Sequence, residues 1–272
     1  MKVGCIPICF LGELSEEKRP VESRVQMAAK VGLDGVEVYK PFVRPPTEAR
    51  LRELVRLIER AGLEVSMFTN YANFVSGNIK REIASVKRDV DWAVVCGAQA
   101  VLLTAGGPLG PLSAEEGARR AAEGLRSCLD YAERRGVQLA LEDHPPFGSR
   151  IEEFLDILKL VGDPRLKVNL DTSNPLPVGD DPVRLTRAVA DRVVHVHVSD
   201  LSSGMEHVPS GEGIVDLPAI FAIFKGHGYD GWLSSETGGP PVLESIVRST
   251  ANIRRLWREA AASSQRGRGE HK

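Results

Sequence analysis

Gly136-Val137-Gln138-Leu139-Ala140-Leu141-Glu142 is the stretch that decides the fold. An amphipathic run stops at a glycine, and a short apolar segment follows and closes on a carboxylate. Glycine tolerates the left-handed backbone that ends a helix, and a brief apolar run between turn signals reads as a strand. The same step recurs at Gly32 before Val36-Glu37-Val38, at Gly62 before Leu63-Glu64-Val65, at Gly97 before Ala100-Val101-Leu102-Leu103, and at Gly228 before Trp232-Leu233. Strand starts then fall near Val3, Gly35, Leu63, Ala100, Val137, Leu166, Val193 and Gly231, which makes eight βα units.

The intervening segments have helical character. Leu51, Leu54, Val55 and Ile58 place one apolar stripe at helical spacing. Ser113 with Glu116, and Ser149 with Glu152, have the spacing of capping boxes, and Pro41, Pro45 and Pro46 confine a loop before the second helix. Strands alternating with helices imply a parallel sheet, and eight units close it into an α/β fold of the (β/α)8 TIM-barrel type. An open doubly wound sheet is the rival, but no G-x-G-x-x-G follows the first strand. We expect a single catalytic domain over 1–260 and a frayed C-terminal tail over 261–272, which is rich in Ser, Gln, Arg and Gly.

The chain has 272 residues, and a barrel of this kind takes about 250. Lys+Arg 35 against Asp+Glu 37 gives a net charge of −2, so no overall cationic excess favours nucleic acid or an anionic membrane. No apolar run approaches the ~18 to 20 residues of a membrane span. Lys2 followed by Val3 to Gly12 superficially resembles a signal peptide, but Gly4, Pro7 and the charged Glu13 to Arg19 favour a first buried strand. Cys5, Cys9, Cys96 and Cys128 contain no C-x-x-C, which suits reduced thiols in a cytoplasmic protein.

The active site of such a barrel lies at the C-terminal ends of its strands. Four strand-end side chains need explaining: Glu142, Asp171, His197 and Glu236, on strands five, six, seven and eight. Neighbouring strands lie about 4.8 Å apart, so these four can converge on one ion. Residues two apart share a face. On the face of the four candidates lie Ala140, Asn169, His195 and Ser234, while Leu139, Leu141, Leu170, Val194, Val196, Val198 and Leu233 take the other. The apolar face should pack on the helices, and the small or hydrogen-bonding face suits groups that orient metal ligands. Three carboxylates and an imidazole in a confined space repel one another unless a cation or protons intervene. Oxygen-rich ligation with one nitrogen suits one divalent ion, Mn²⁺ first, with Mg²⁺, Co²⁺ or Zn²⁺ as alternatives.

At these positions the sequence resembles the xylose-isomerase-like barrels, a superfamily of sugar isomerases and epimerases. The resemblance rests on Leu139-Ala140-Leu141-Glu142-Asp143-His144, Asn169-Leu170-Asp171-Thr172-Ser173-Asn174, His195-Val196-His197-Val198-Ser199-Asp200, His207-Val208-Pro209-Ser210-Gly211-Glu212-Gly213, and Gly228-Tyr229-Asp230-Gly231 leading to Glu236. It implies that Glu142, Asp171, His197 and Glu236 bind one divalent metal and that the two glutamates also move substrate protons. It further implies that His144 lies beside the site and that His207 contacts substrate. Two positions depart from the pattern. Asn174 stands where D-x-x-H would end, and can hydrogen-bond a hydroxyl; Ser199 replaces the lysine of H-x-K-D.

The resemblance implies a metal-dependent isomerase or epimerase that transfers a proton through an enediolate on a ketose or related keto-polyol. Its partner is then a small carbohydrate, and a homodimer or homotetramer is compatible with exposed barrel helices. Glu37 can bind a substrate hydroxyl or pair with a neighbouring cation. Phe68, Tyr71 and Phe74 can form an apolar wall or loop packing, and Trp232 belongs to the core. The rival in another enzyme class is a lyase, such as an inosose dehydratase or a deglycosylating relative, with His144 or His207 as acid. A zinc-dependent abasic-site endonuclease is disfavoured, because the histidines are His144, His195, His197, His207, His227 and His271, with none on strands one to four. A catalytically silent sugar-binding barrel is the remaining alternative.

Overall fold

The computed structural model describes the backbone of residues 1–10, 21–237 and 241–269, with side chains for these apart from Phe10 and 261–269. Its strands are β1 (Lys2–Cys5), β2 (Gly35–Tyr39), β3 (Glu64–Thr69), β4 (Ala100–Thr104), β5 (Gln138–Glu142), β6 (Leu166–Asp171), β7 (Val193–Val198) and β8 (Trp232–Ser235). They alternate with α1 (Val21–Lys30), α2 (Glu48–Arg60), α3 (Ile79–Cys96), α4 (Ala114–Arg134), α5 (Ile151–Val161), α6 (Pro182–Val189), α7 (Leu217–Gly226) and α8 (Val242–Gly269). Every ladder is parallel, in the order β1-β8-β7-β6-β5-β4-β3-β2. The seam between β1 and β2 is closed by Asp34, whose N–H donates to Val3 O at 2.8 Å and whose carboxylate accepts from Val3 N at 2.8 Å. The protein is a single-domain (β/α)8 barrel.

The local steps follow from the residues that mark them. The five hinge glycines, Gly32, Gly62, Gly97, Gly136 and Gly228, take φ between +68 and +75°, where a Cβ would be strained. Ser113 and Glu116 form both halves of a capping box at the start of α4, and Thr47, Asn78, Asp181 and Asp216 cap α2, α3, α6 and α7. Ser149 and Glu152 do not form the second box. The N-cap of α5 is Arg150, which makes no side-chain cap; Ser149 is buried, and Asp180 accepts from Ile151 N at 3.0 Å in its place. The frayed end expected over 261–272 lies on residues whose side chains, and for 270–272 whose backbone, fall outside those described.

The main core fills the layer between strands and helices. Val36, Val38, Leu139, Leu141, Val168, Leu170, Val196, Val198 and Leu233 point into it and meet Leu51, Leu54 and Ile58 of α2, Ala121 and Leu125 of α4, and Phe221 and Phe224 of α7. Each such side chain contributes roughly 1.5–3 kcal/mol by leaving water. Phe68 and Phe74 belong to this layer: Phe68 lies 6.4 Å from the Trp92 ring, and Phe74 occupies the space that a Cβ on Gly124 would need. They are packing residues and form no wall for a sugar. The barrel interior holds a separate small cluster of Met67, Ala100 and Leu102 beside the polar Asn169, His195 and Ser234. Trp232 is half-buried at the barrel floor, where its ring takes the space of a Cβ on Gly35 and the Lys2 ammonium sits 5.3 Å from it. Among the described residues no helix is long and apolar enough to cross a membrane, and the four cysteines are buried and free.

Candidate metal centre

The ends of the last four strands bring together Glu142 (β5), Asp171 (β6), His197 (β7) and Glu236, the residue after β8. One ligand atom from each lies within 4.8 Å of the others. The strand registers put Asp171 beside His197, with Glu142 paired to Asn169 two residues earlier on β6 and Glu236 two residues beyond Ser234, the partner of His197, so the ligands step up along the staggered strands. Glu142, Asp171 and His197 are buried, while the Glu236 side chain keeps 20% of its surface open.

Each buried ligand is held from behind. Asn169 Nδ2 donates to Glu142 Oε1 at 2.9 Å, and Asn169 Oδ1 pairs with His195 Nδ1 at 2.8 Å. Asp171 Oδ1 accepts from Ser199 Oγ at 2.7 Å, from Ser173 N at 2.7 Å, from Asn174 N at 2.9 Å and more weakly from Ser173 Oγ at 3.2 Å. Its backbone N–H donates to the buried Asp143 carboxyl at 2.8 Å. With Oδ1 so occupied, Oδ2 is the oxygen left for a ligand. His197 Nε2 faces Glu37 Oε1 at 3.0 Å, and its Nδ1 lies 2.6 Å from Glu142 Oε1 and 2.9 Å from Glu236 Oε2.

The electrostatics show what this arrangement costs. Burial, with Glu236 and Glu142 adding to it, pushes the Asp171 carboxyl up to about 6. Burial beside Asp171 and Glu142 raises Asp143 well above the carboxylate range. Burial opposes the charge on Glu236 and Glu37 too, but the His197 imidazole outweighs it, lowering Glu236 and holding Glu37 at about 2. His197 is raised well above its ordinary value against the effect of its own burial, because Glu37, Glu142 and Glu236 surround it. Burial lowers His195 to about 4, so its ring is neutral at pH 7.

A divalent cation fits the donor set. Glu142 Oε2 and His197 Nδ1 are buried without a hydrogen-bond partner, although Nδ1 stands within 2.9 Å of two carboxylates. Buried polar atoms are normally satisfied. Three carboxylates and one imidazole nitrogen around one point supply what an oxygen-seeking divalent ion takes.

The other expected residues are placed unevenly. His144 follows β5, and its ring lies 4.7 Å from Tyr71, close enough to Glu236 to help lower that carboxyl. Asn174 lends its backbone N–H to Asp171. His207 is exposed on the β7–α7 loop, bridged through its backbone to Leu201, and no described contact joins it to the cluster. The glycines beyond it have a structural reason: Asp200 accepts from Leu201, Gly211, Gly213 and Val215 N–H at 2.9–3.0 Å, and a Cβ on Gly213 would fall 2.2 Å from its carboxylate. Glu37 accepts from Ser234 Oγ at 2.5 Å, from Thr69 Oγ1 and from His197 Nε2, all donors of the protein itself. Of the three aromatics, Tyr71 alone faces the cluster, with Tyr39 at 5.8 Å; burial, then Glu142 and Glu236, raise its phenol. Sequence reading missed Ser173 and Ser199 as the clamp on Asp171. Ser173 carries a local signal, since Asp-x-Ser is an Asx-turn spacing, whereas Ser199 arrives from another strand.

A (β/α)8 barrel with such a cluster at the C-terminal ends of its strands is an enzyme scaffold. The sequence model of the xylose isomerase-like TIM barrels matches residues 25–265, and the chain belongs to that family. A fructoselysine 3-epimerase of Shigella flexneri is 25% identical over 240 residues, covering 81% of this chain and 86% of that protein. An inosose dehydratase 2 of Bacillus cereus (strain ZK / E33L) is 22% identical over 298 residues, covering 96% and 97%. The solved structure of an L-ribulose 3-epimerase superposes with a TM-score of 0.80 at 18% identity, over 100% of this chain and 99% of that one. The family thus includes both epimerases and dehydratases.

Proposed function

We propose that this protein is a divalent-metal-dependent sugar epimerase or isomerase that transfers a proton at the carbon next to the carbonyl of a ketose or keto-polyol. The observation that carries the reading is the convergence of Glu142, Asp171, His197 and Glu236 within 4.8 Å, with Glu142 Oε2 and His197 Nδ1 buried and unpartnered. These four residues would hold the ion. When bound, a divalent ion supplies Lewis acidity that favours an enediolate from a carbonyl and its neighbouring hydroxyl. Mn²⁺ suits the oxygen-rich set best.

The chain's own residues supply the proton chemistry. Glu142 and Glu236 approach the centre from β5 and β8 and flank His197, so one can take a proton and the other return it. Return to the opposite face yields an epimer, and return to the adjacent carbon an aldose–ketose isomer. Glu236 is the more open of the two, and its conjugate acid is the easier to exchange with solvent. Tyr39, Tyr71 and the His144 ring line the other side and exclude water from the face of a sugar. His144, whose ring lies 4.7 Å from Tyr71, and Asn174, which follows the Asp171 ligand, would meet substrate hydroxyls.

Metal analysis and incubation of the Mn²⁺-loaded protein with free ketoses and keto-inositols in D₂O test this reading. Uptake of deuterium at the α-carbon with an epimer or isomer as product is the expected result; a full-length protein that takes up no divalent ion and no label overturns it. Elimination is the second reading, favoured by His144 lying within electrostatic reach of Glu236 as a leaving-group acid. A dehydrated product in the same incubation distinguishes it.

A further inference from the structure

We propose that Glu37 is a positioning residue that makes His197 a metal ligand by fixing which of its nitrogens carries the proton. The inference rests on the divalent-ion reading of the cluster and concerns a residue that would touch neither ion nor substrate.

Glu37 sits in the middle of β2, 2% exposed, with Val36 and Val38 turned outward into the helix-facing core. A buried carboxylate is tolerated only where donors satisfy it. Oε1 accepts from His197 Nε2 at 3.0 Å and from Ser234 Oγ at 2.5 Å, and Oε2 accepts from Thr69 Oγ1. The three donors come from β7, β8 and β3, so Glu37 ties four strands together beneath the cluster. Thr69 and Ser234 have hydroxyl rotors that can turn to any acceptor, but His197 has one proton to place while neutral.

The carboxylate can accept only if the His197 proton is on Nε2. The lone pair is then on Nδ1, which stands 2.6 Å from Glu142 Oε1 and 2.9 Å from Glu236 Oε2 and has no hydrogen-bond partner. A lone pair facing two carboxylates is repulsive until a cation lies between them. With the proton on Nδ1 instead, His197 would donate to those carboxylates and the cluster would satisfy itself. Glu37 therefore separates an ion site from a closed hydrogen-bond network. A carboxylate behind a ligating imidazole also raises its basicity. His195 lies 3.8 Å from the same Oε1, but its Nδ1 is taken by Asn169, so it offers Glu37 no competing proton when neutral.

Two measurements on the full-length protein test the proposal. Long-range ¹H–¹⁵N correlation spectra of the wild type loaded with Zn²⁺, which is diamagnetic, should show His197 protonated on Nε2 alone, with Nδ1 shifted by the ion relative to the stripped protein. A proton on Nδ1 overturns the proposal without the need of a variant. Calorimetric titration of Mn²⁺ into stripped wild type and Glu37→Met, which keeps the length but has no comparable acceptor, should show one equivalent bound by the wild type and about 10- to 100-fold weaker binding by the variant, the range for loss of a partner behind a ligand. Wild-type binding with unchanged affinity in a folded Glu37→Met overturns the positioning role alone. Two equivalents in the wild type would make Glu37, His195 and His197 an ion site themselves, and overturn it too. A wild type that binds no ion overturns the metal reading first, and this inference with it.

Discussion

The two halves of the barrel mouth are built of different chemistry. At or beside the ends of β5 to β8 stand Glu142, Asp171, His197 and Glu236, whereas β1 to β4 end at Cys5, Tyr39, Thr69 and Thr104. On the second side the rings of Tyr39 and Phe42 meet edge to face at 4.8 Å, Tyr39 and Tyr71 at 5.8 Å, and Tyr71 reaches across to His144 at 4.7 Å. One half concentrates charge, and the other lowers the dielectric around it, which strengthens every electrostatic interaction in the pocket. Glu37 is the exception that crosses over, coming from β2 to support a ligand on β7.

The largest effect should follow from disabling the acidic half. Glu236→Gln keeps the shape and an oxygen donor but removes a proton acceptor. Deuterium incorporation at the substrate α-carbon should fall ~10²- to 10⁴-fold, the span typical of one general acid–base group. Full exchange in the variant would remove Glu236 from the chemistry and leave the contrast between the halves structural only.

Acid should weaken the same half without any mutation. The Asp171 carboxyl stands at about 6 in the ion-free fold, against about 3.9 for an unperturbed Asp. Because the folded value is raised, this group's contribution to ion-free stability is fully present below pH ~4 and is lost as pH rises through about 6. A divalent ion must displace that proton. Its affinity should therefore fall by about tenfold or more per pH unit below 6, and the raised His197 imidazole, whose proton the ion must also displace, carries a shallower fall above that pH. In melting experiments, an ion at a fixed concentration a hundred times its Kd at pH 7.5 stabilises by about 2.7 kcal/mol there. That increment should be largest at pH 7.5 and shrink at pH 5. A pH-independent increment would show that the ion is held without Asp171.

The contrast between halves was only partly legible in the sequence. Hinge glycines and strand parity placed Glu142, Asp171, His197 and Glu236 together, because parallel strands that neighbour one another in chain order carry that order directly into spatial order. Parity alone did not say what an inward side chain meets across the barrel. Glu37 and His197 are 160 residues apart, so the sequence left Glu37 open between a substrate hydroxyl and a neighbouring cation. Phe68, Tyr71 and Phe74 read alike as aromatics around the end of the third strand, and only packing against Trp92 and Gly124 separates the two buried rings from Tyr71. The Ser149–Glu152 spacing was right for a cap but was overruled by Asp180 from the neighbouring loop.

Tyr71→Ala breaks the aromatic half. Loss of its ring removes apolar contact and admits water, worth about 1–1.5 kcal/mol for an aromatic surface, so KM should rise about tenfold with ion affinity unchanged. Tyr71→Phe should restore KM, since no described hydrogen bond uses the hydroxyl. If the loss instead fell on ion binding, the two halves would not be separable.

Ser199→Ala should have the smallest effect. Ser199 Oγ donates to Asp171 Oδ1 at 2.7 Å and lies 2.6 Å from Ser173 Oγ. A neutral-to-charged hydrogen bond is worth about 1.5–3 kcal/mol, but the loss should be partly offset, because Ser173 Oγ is already 3.2 Å from the same oxygen and is freed to turn fully onto it. The backbone at this position stays fixed, since Ser199 N and O both remain bonded to Thr172 Oγ1. Ion affinity should drop roughly three- to fivefold, the part of that bond's worth left uncompensated, and Ser173→Ala/Ser199→Ala together should exceed the sum of the single losses. Strict additivity would mean that the hydroxyls act on Asp171 independently, and that its orientation is set by the Ser173 and Asn174 N–H groups alone.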